Sequence, residues 1–446
     1  MERKTKFLAT QNNYLQDVKI LIKPEIYFLC FMSEITLEQI HQASDQLKTV
    51  VKQSPLEFCP RLSEKYEARI YLKREDLQVV RSFKIRGAYN LIASLSEEEK
   101  LRGVVCASAG NHAQGVAYSC QVLGIKGTIF MPTITPVQKI NKVERFGGKW
   151  VEIKLVGKNF DEANQAAKDF QQQTGAIFVH PFDDPRTIAG QATIAYELQE
   201  QLETAPDFVL AAVGGGGLVS GIASYFHLTN SHTQTIGVEV DTQASMYESL
   251  EQDQVVTLPN ISTFVDGTAV KTPGRLTFKI CKQLLSDLVL VSEGRVCTDM
   301  IDLYQNEGII VEPAGAMAIS GLSKVKRKIR GKTVVCIVCG GNNDISRYPE
   351  IMEKSLVWKG LKHYFIIEFT QKPGELKNFV NQVLGPTDDI VRFEYIKKTN
   401  KEKGSALVGI ELADKNDLDR IIAKLDQLGF EYRRITKSDL LYDYLI

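Results

Sequence analysis

Three short stretches carry residue types that could do chemistry together. The first is VVRSFKIRGAYN, Val79–Asn90, where Lys84 sits among apolar residues between Arg81 and Arg86, and the nearest acids, Glu75 and Asp76, lie well upstream. With Ser82 as the cap of a helix starting at Phe83, Lys84 falls in the first turn. There the helix dipole, the two arginines and apolar neighbours would all lower an amine's pKa. A neutral amine is the nucleophile of Schiff-base chemistry. The plainer alternative is a solvated lysine at a helix start, which is where most lysines are found.

The second stretch is LAAVGGGGLVSG, which reads as a buried strand running into Gly214, Gly215, Gly216 and Gly217 and then a helix from near Leu218. Bare backbone N–H groups at a helix start hold phosphate. The spacing is neither G-x-G-x-x-G nor a Walker A motif, so a single phosphate fits better than a dinucleotide. The third is CASAGNHAQGVA, where a strand ends at Ser108-Ala109-Gly110-Asn111. Its free N–H groups and the asparagine amide suit a small carboxylate or a ring hydroxyl. His112 reads first as an ordinary helix-start residue. In TVVCIVCGGNND, Cys339 ends an apolar strand at a glycine pair and by itself reads as a small buried hydrophobe. Cys336 and Cys339 match C-x-x-C, but no second ligand pair follows. On a strand they would point to opposite faces, so no metal site is expected.

The elements that must position these residues are legible in outline. Between about Arg69 and Gly341, short β-rich apolar runs alternate with amphipathic stretches, the pattern of β–α units with parallel sheets covered on both faces. Beyond Tyr348 the order becomes strand, helix, two strands around the polar loop TNKEKG, helix, strand, which is the ferredoxin-like arrangement. This predicts an N-terminal extension (1–31, disordered or a start-site artefact with Met32 as the true first residue), a large α/β domain (32–355) and a small α+β domain (361–446). The stretch EKSLVWKG is the expected short linker between the two domains. Thr36 and Gln39 form a capping box that opens the first helix.

Composition bounds the partners. Lys+Arg and Asp+Glu are both 54, so no net charge draws the chain to nucleic acid or an anionic membrane. The apolar run IYFLCFM is far shorter than the roughly 20 residues of a membrane span. No cleavage site for a signal peptide follows it. Scattered cysteines in apolar runs predict reduced thiols and a cytoplasmic setting.

Taken together, SFKIRGAYN, SAGNHAQGVA, HPFDDPRTIAGQATIAYE, GGGGLVSGIA, DGTAVKTPG, VEPAGA and CGGNND occur in an order and at distances that resemble the threonine dehydratases. These are pyridoxal 5'-phosphate (PLP) enzymes of fold type II, the tryptophan-synthase-β-like class. The resemblance runs from about residue 36 to the C-terminus, where a single ACT-like regulatory domain is similar to that of the biosynthetic, isoleucine-pathway form.

The resemblance implies a role for each matched residue. Lys84 would link to the cofactor and, once displaced by substrate, remove the α-proton. Asn111 would bond the 3'-oxygen of the ring. Gly214, Gly215, Gly216, Gly217 and Leu218 would hold the phosphate, and Cys339 would face the pyridine nitrogen. Ser108, Ala109, Gly110 and His112 would receive the substrate carboxylate. Cys339 departs from the serine of most biosynthetic relatives. Ala109 stands where similar serine racemases carry a second, catalytic serine, which favours dehydration over racemisation. The implied activity is conversion of L-threonine to 2-oxobutanoate and ammonia in a homotetramer, with isoleucine or valine as effector. The alternatives are a catabolic serine/threonine dehydratase and a non-catalytic amino-acid sensor.

Overall fold

The computed structural model describes residues 35–395, 402–436 and 438–445. The expectation for residues 1–31 and the first half of the TNKEKG loop lie outside them. The capping box forms as expected: Thr36 N donates to Gln39 Oε1 at 2.9 Å and Gln39 N to Thr36 Oγ1 at 3.2 Å. The helix it opens, Leu37–Leu47, buries Ile40, Ala43 and Leu47 along one face and packs on helix Pro185–Gln201.

Along the larger part of the chain the strands are β1 (Leu56–Phe58), β2 (Arg69–Arg74), β3 (Val104–Ala107), β4 (Gly127–Met131), β5 (Val151–Leu155), β6 (Ile177–Phe178), β7 (Phe208–Ala212), β8 (Gln234–Val240), β9 (Asp287–Val291) and β10 (Thr333–Val338). They form two sheets, ordered β1-β2-β10-β7-β8-β9 and β5-β4-β3-β6. Every pairing is parallel except that of β1 with β2. The central strands β7 and β10 are buried at every position, because helices lie on both faces and leave no side for polar residues. Each fully buried valine or leucine there contributes about 1.5–3 kcal/mol. β3, β7 and β10 end at Ala107, Ala212 and Val338, just before Ser108, Gly214 and Cys339, so the three motifs follow the carboxyl ends of parallel strands, where such sheets bind ligands.

The C-terminal strands are β11 (Lys362–Thr370), β12 (Asp389–Tyr395), β13 (Lys403–Glu411) and β14 (Glu431–Ile435), in an antiparallel sheet ordered β12-β13-β11-β14. That is the ferredoxin-like order. Phe365, Phe379, Val408, Ile421 and Leu425 fill its core against helices Glu375–Val383 and Asp417–Gln427. The linker expectation needs correcting. EKSLVWKG is the second half of helix Tyr348–Lys359, which ends at Gly360 in the left-handed region (φ 72°). This helix packs along Glu293–Glu307, with a Thr298–Ser355 hydroxyl bond of 2.9 Å and a Lys354–Glu293 ion pair of 3.1 Å. The two units are therefore joined by a packed helix.

Candidate active site

Lys84 is the first residue of helix Lys84–Ala93. Its Nζ donates to the Pro181 carbonyl at 3.0 Å and lies 5.2 Å from the centre of the Phe83 ring. Burial lowers its pKa to about 8, against the opposing pull of Cys339 and Glu312. At neutral pH roughly a tenth of such amines are uncharged, several hundred times more than at the usual value. The amine is thus easily deprotonated but not held mainly neutral.

Lys84 stands in the first turn of its helix, as expected, but two details of the sequence reading fail. Ser82 does not cap the helix, and its buried Oγ has no partner among the described residues. Nor do the arginines act on Lys84. Arg81 is exposed, at φ 60°. Arg86 turns the other way, donating to Glu75 at 2.7 and 2.8 Å and to Glu197 at 2.6 and 3.0 Å. Desolvation is the chief cause of the lowering, and the position at the helix start acts in the same direction. The turn before Lys84 is pinned to the end of β10, with Phe83 N bonded to Cys339 O at 3.1 Å and Gly341 N to Arg81 O at 2.9 Å.

The glycine run is forced by crowding. A Cβ at Gly215 would lie 2.3 Å from the Phe182 ring, one at Gly217 would lie 2.8 Å from Phe182, and one at Gly214 would lie 2.8 Å from the Thr268 carbonyl. Gly216 adopts φ 90°, which only glycine holds cheaply. Helix Gly217–Leu228 begins one residue earlier than expected, and Leu218 is buried in its first turn. The first-turn N–H groups have no carbonyl four residues back. Thr277 Oγ1 fixes the loop by donating to Gly215 O at 2.6 Å. Asp183 accepts from the N–H groups of Arg275, Leu276 and Thr277 at 2.9–3.1 Å. Pro181, which meets the Lys84 amine, therefore immediately precedes the ring that packs on the glycine run.

Ser108, Ala109, Gly110 and Asn111 form a half-open turn into helix Asn111–Leu123. Gly110 N donates to Ser108 Oγ at 3.2 Å, and a Cβ on Gly110 would meet nothing within 4 Å, so the turn borders open space. The His112 side chain is committed elsewhere. It is buried, its Nε2 bonds the Val179 carbonyl at 2.8 Å, and burial lowers its pKa to about 3, so the ring stays neutral. Only its backbone N–H remains to serve a ligand.

Asn111 Nδ2 donates to Glu312 Oε1 at 2.6 Å, and Asn111 Oδ1 accepts from Asn342 Nδ2 at 2.8 Å. Burial raises the Glu312 pKa to about 7. Sequence reasoning placed Glu312 and Asn342 within motifs and gave them no role. A glutamate inside the apolar run IIVEPAGAMAIS was the available signal, since an acid there must find a partner.

Cys339 Sγ lies 3.3 Å from Ala314 O, and Cys336 Sγ lies 3.8 Å from Ala318 O. Both thiols thus face the one helix Pro313–Ile329, which overturns the expected opposite-face arrangement. β10 ends at Val338, and the chain turns before Cys339. Burial holds the Cys339 thiol well above its usual range, hence neutral.

This donor set suits a phosphorylated aldehyde. It offers an amine primed by burial, a cradle of side-chain-free N–H groups at a helix start, a carboxamide and a neutral thiol. Ser82 Oγ, two residues before Lys84, and Asn343 Nδ2, next to Asn342, are buried without partners among the described residues and leave polar capacity unspent. Separately, a cleft of about 640 Å³ opens in the C-terminal unit between Phe369, Lys372, Glu375, Val380 and Phe393.

Residues 47–340 match the model of the pyridoxal-phosphate dependent enzyme family, and residues 353–445 match that of the C-terminal regulatory domain of threonine dehydratase. The chain is 50% identical over 415 residues to the biosynthetic L-threonine dehydratase IlvA of Halalkalibacterium halodurans, covering 93% of this chain and 100% of that protein. It is 49% identical to the Bacillus subtilis enzyme of the same name, covering 93% and 98%. Among solved structures, the processed form of threonine deaminase isoform 2 from Solanum lycopersicum superposes with a TM-score of 0.67 at 39% identity, over 72% of this chain and 90% of that one.

Proposed function

Because the chain belongs to the threonine dehydratase family of pyridoxal-phosphate dependent enzymes, we propose that the cleft around Lys84 is where L-threonine loses water and ammonia. The chain is an L-threonine ammonia-lyase. It forms 2-oxobutanoate in the first step of isoleucine biosynthesis, under allosteric control through its C-terminal domain. The observation that carries the assignment of the site is the half-buried amine of Lys84, bonded to the carbonyl of Pro181, whose neighbour Phe182 packs on the glycine run.

Pyridoxal phosphate supplies an aldehyde that links to amines and a ring that accepts electrons. The chain's own residues do the rest. Gly214, Gly215, Gly216, Gly217 and Leu218 present backbone N–H groups to the phosphate. Lys84 would anchor the aldehyde, and its amine, whose pKa burial lowers to about 8 in the chain itself, would serve as the base for the α-proton. Ser108, Ala109, Gly110 and the N–H of His112 receive the substrate carboxylate. Neutral His112 adds no charge there. Asn111 would donate to the ring oxygen. Cys339, a neutral thiol, would face the ring nitrogen without the negative charge by which a carboxylate keeps it protonated. Ala109 offers no base on the opposite face, which disfavours racemisation.

The catalytic unit is assigned to residues up to about 355 and the regulatory unit to 361–446. For the effector we favour isoleucine, with valine second. The cleft in the regulatory unit sets apolar Phe369, Val380 and Phe393 beside Lys372 and Glu375, which complement a branched side chain with both charged ends. Threonine turnover should yield 2-oxo acid and respond to added isoleucine. Absence of 2-oxo acid would support the sensor reading, and indifference to both isoleucine and valine would favour a catabolic enzyme.

The exposed edges β12 and β14 call for cover by a second copy. A homo-oligomer is therefore expected, and the family resemblance makes it a homotetramer. Light scattering should give the mass of four chains, and a monomer at micromolar concentration would contradict this. Among the described residues no helix is long and apolar enough to cross a membrane, in keeping with the proposed cytoplasmic setting.

A further inference from the structure

We infer that Glu312 and Asn342 are positioning residues that lock the orientation of the Asn111 carboxamide, so that it presents a donor, and not its oxygen, to the cofactor ring. The inference rests on the reading that the Lys84 cleft holds pyridoxal phosphate. A carboxamide has one accepting and one donating end, and its partners alone decide which way it faces. Here the partners leave no choice. Val80 O can only accept, and it takes a hydrogen bond from Asn342 Nδ2 at 2.8 Å. The same Nδ2 donates to Asn111 Oδ1 at 2.8 Å. On the other side, Glu312 Oε1 accepts from Asn111 Nδ2 at 2.6 Å. Both ends of the Asn111 amide are thereby assigned, and one N–H of Nδ2 remains free. That remaining group is a donor, which suits an anionic ring oxygen.

Apart from its electrostatic pull on Lys84, Glu312 has little other use. It is 4% exposed, it stands before the first turn of helix Pro313–Ile329, and its side chain makes no capping bond there. Besides Asn111 its carboxyl takes the backbone N–H of Asn342, the second member of the same network. The neighbouring chain makes room for it: a Cβ at Gly340 would lie 2.1 Å from Glu312 Oε1. The glycine pair after Cys339 thus serves the carboxylate as well as the turn. Burying an acid costs several kcal/mol unless it is bonded, and here the bonds go to the residue facing the ring.

The test titrates the full-length apoenzyme with pyridoxal phosphate and follows its visible absorbance. Glu312→Ala and Glu312→Met, the latter close in volume but lacking an acceptor, should each weaken cofactor binding about tenfold, as loss of a buried hydrogen-bond partner does. Running both keeps the test alive if the alanine variant fails to fold. Glu312→Gln, whose amide oxygen still accepts, should stay within about threefold of wild type. The decisive comparison uses the Asn111→Ala background, where removing Glu312 should weaken binding no further, because its effect passes through Asn111. Wild-type affinity in Glu312→Met, or losses that multiply to about a hundredfold in the double variant, would overturn the assignment. Failure of the wild-type chain to bind pyridoxal phosphate would instead sink the reading of the cleft itself.

Discussion

Lys84→Ala is expected to lower threonine turnover by about 10⁴-fold or more while leaving the fold intact, because one amine serves both as anchor and as base. The substitution removes a buried group whose charged form is disfavoured by its surroundings, so stability should hold or rise slightly. The phosphate cradle does not involve the lysine. The variant should therefore still bind pyridoxal phosphate, but without the absorption band of lysine-bound cofactor. Circular dichroism and thermal melting would establish the fold, and a coupled 2-oxo acid assay the rate. Turnover within about a hundredfold of wild type would mean that another group takes the proton.

The second large effect concerns stability. Arg86→Met should destabilise the catalytic unit by about 3–5 kcal/mol, the usual cost of removing one partner from a buried ion pair. Arg86 and Glu75 are both essentially inaccessible and 2.7 Å apart. Glu197 closes the other side at 2.6 Å, and also pairs with buried Lys73 at 2.5 Å. Without the guanidinium, two carboxylates would share one ammonium. The sign with pH follows from the wild-type shift. The Glu75 carboxyl is held below 4.5, chiefly by Arg86 against the cost of burial. Its stabilisation is therefore complete above about pH 4.5 and fades as pH falls through the lowered value. The gap between wild type and variant should accordingly be widest at neutral pH and shrink in acid, measured by urea unfolding across that range. A change under about 1 kcal/mol at neutral pH would mean that these charges are solvated. Because Arg86 lies two residues from Lys84 on the same helix, lost rigidity here should lower activity too.

How much could be read in the residues differed by kind of feature. Strand and helix alternation was legible because buried parallel strands are continuous apolar runs, as β7 and β10 show. The βαββαβ order of the C-terminal unit was legible for a similar reason, its amphipathic helices marking the breaks. Local signals carried less far where a distant partner decided the outcome. Arg86 looked like a neighbour of Lys84, yet Glu197, more than a hundred residues on, took its charge. Ser82 looked like a cap, but the β10 end claimed the backbone around it. EKSLVWKG looked like a linker because its apolar residues do not fall on one clean face, yet it is helical and packed. Glu312 and Asn342 were visible only as letters in motifs. Their function depends on three segments meeting at Asn111, which no local pattern encodes.

The central claim is that the Lys84 amine is the group that holds the cofactor. Borohydride reduction of the cofactor-loaded protein, followed by proteolysis and mass spectrometry, tests it directly. The pyridoxyl label should appear on the peptide containing Lys84 and on no other. A label on a different lysine, or a loaded protein that takes up none, would contradict the account.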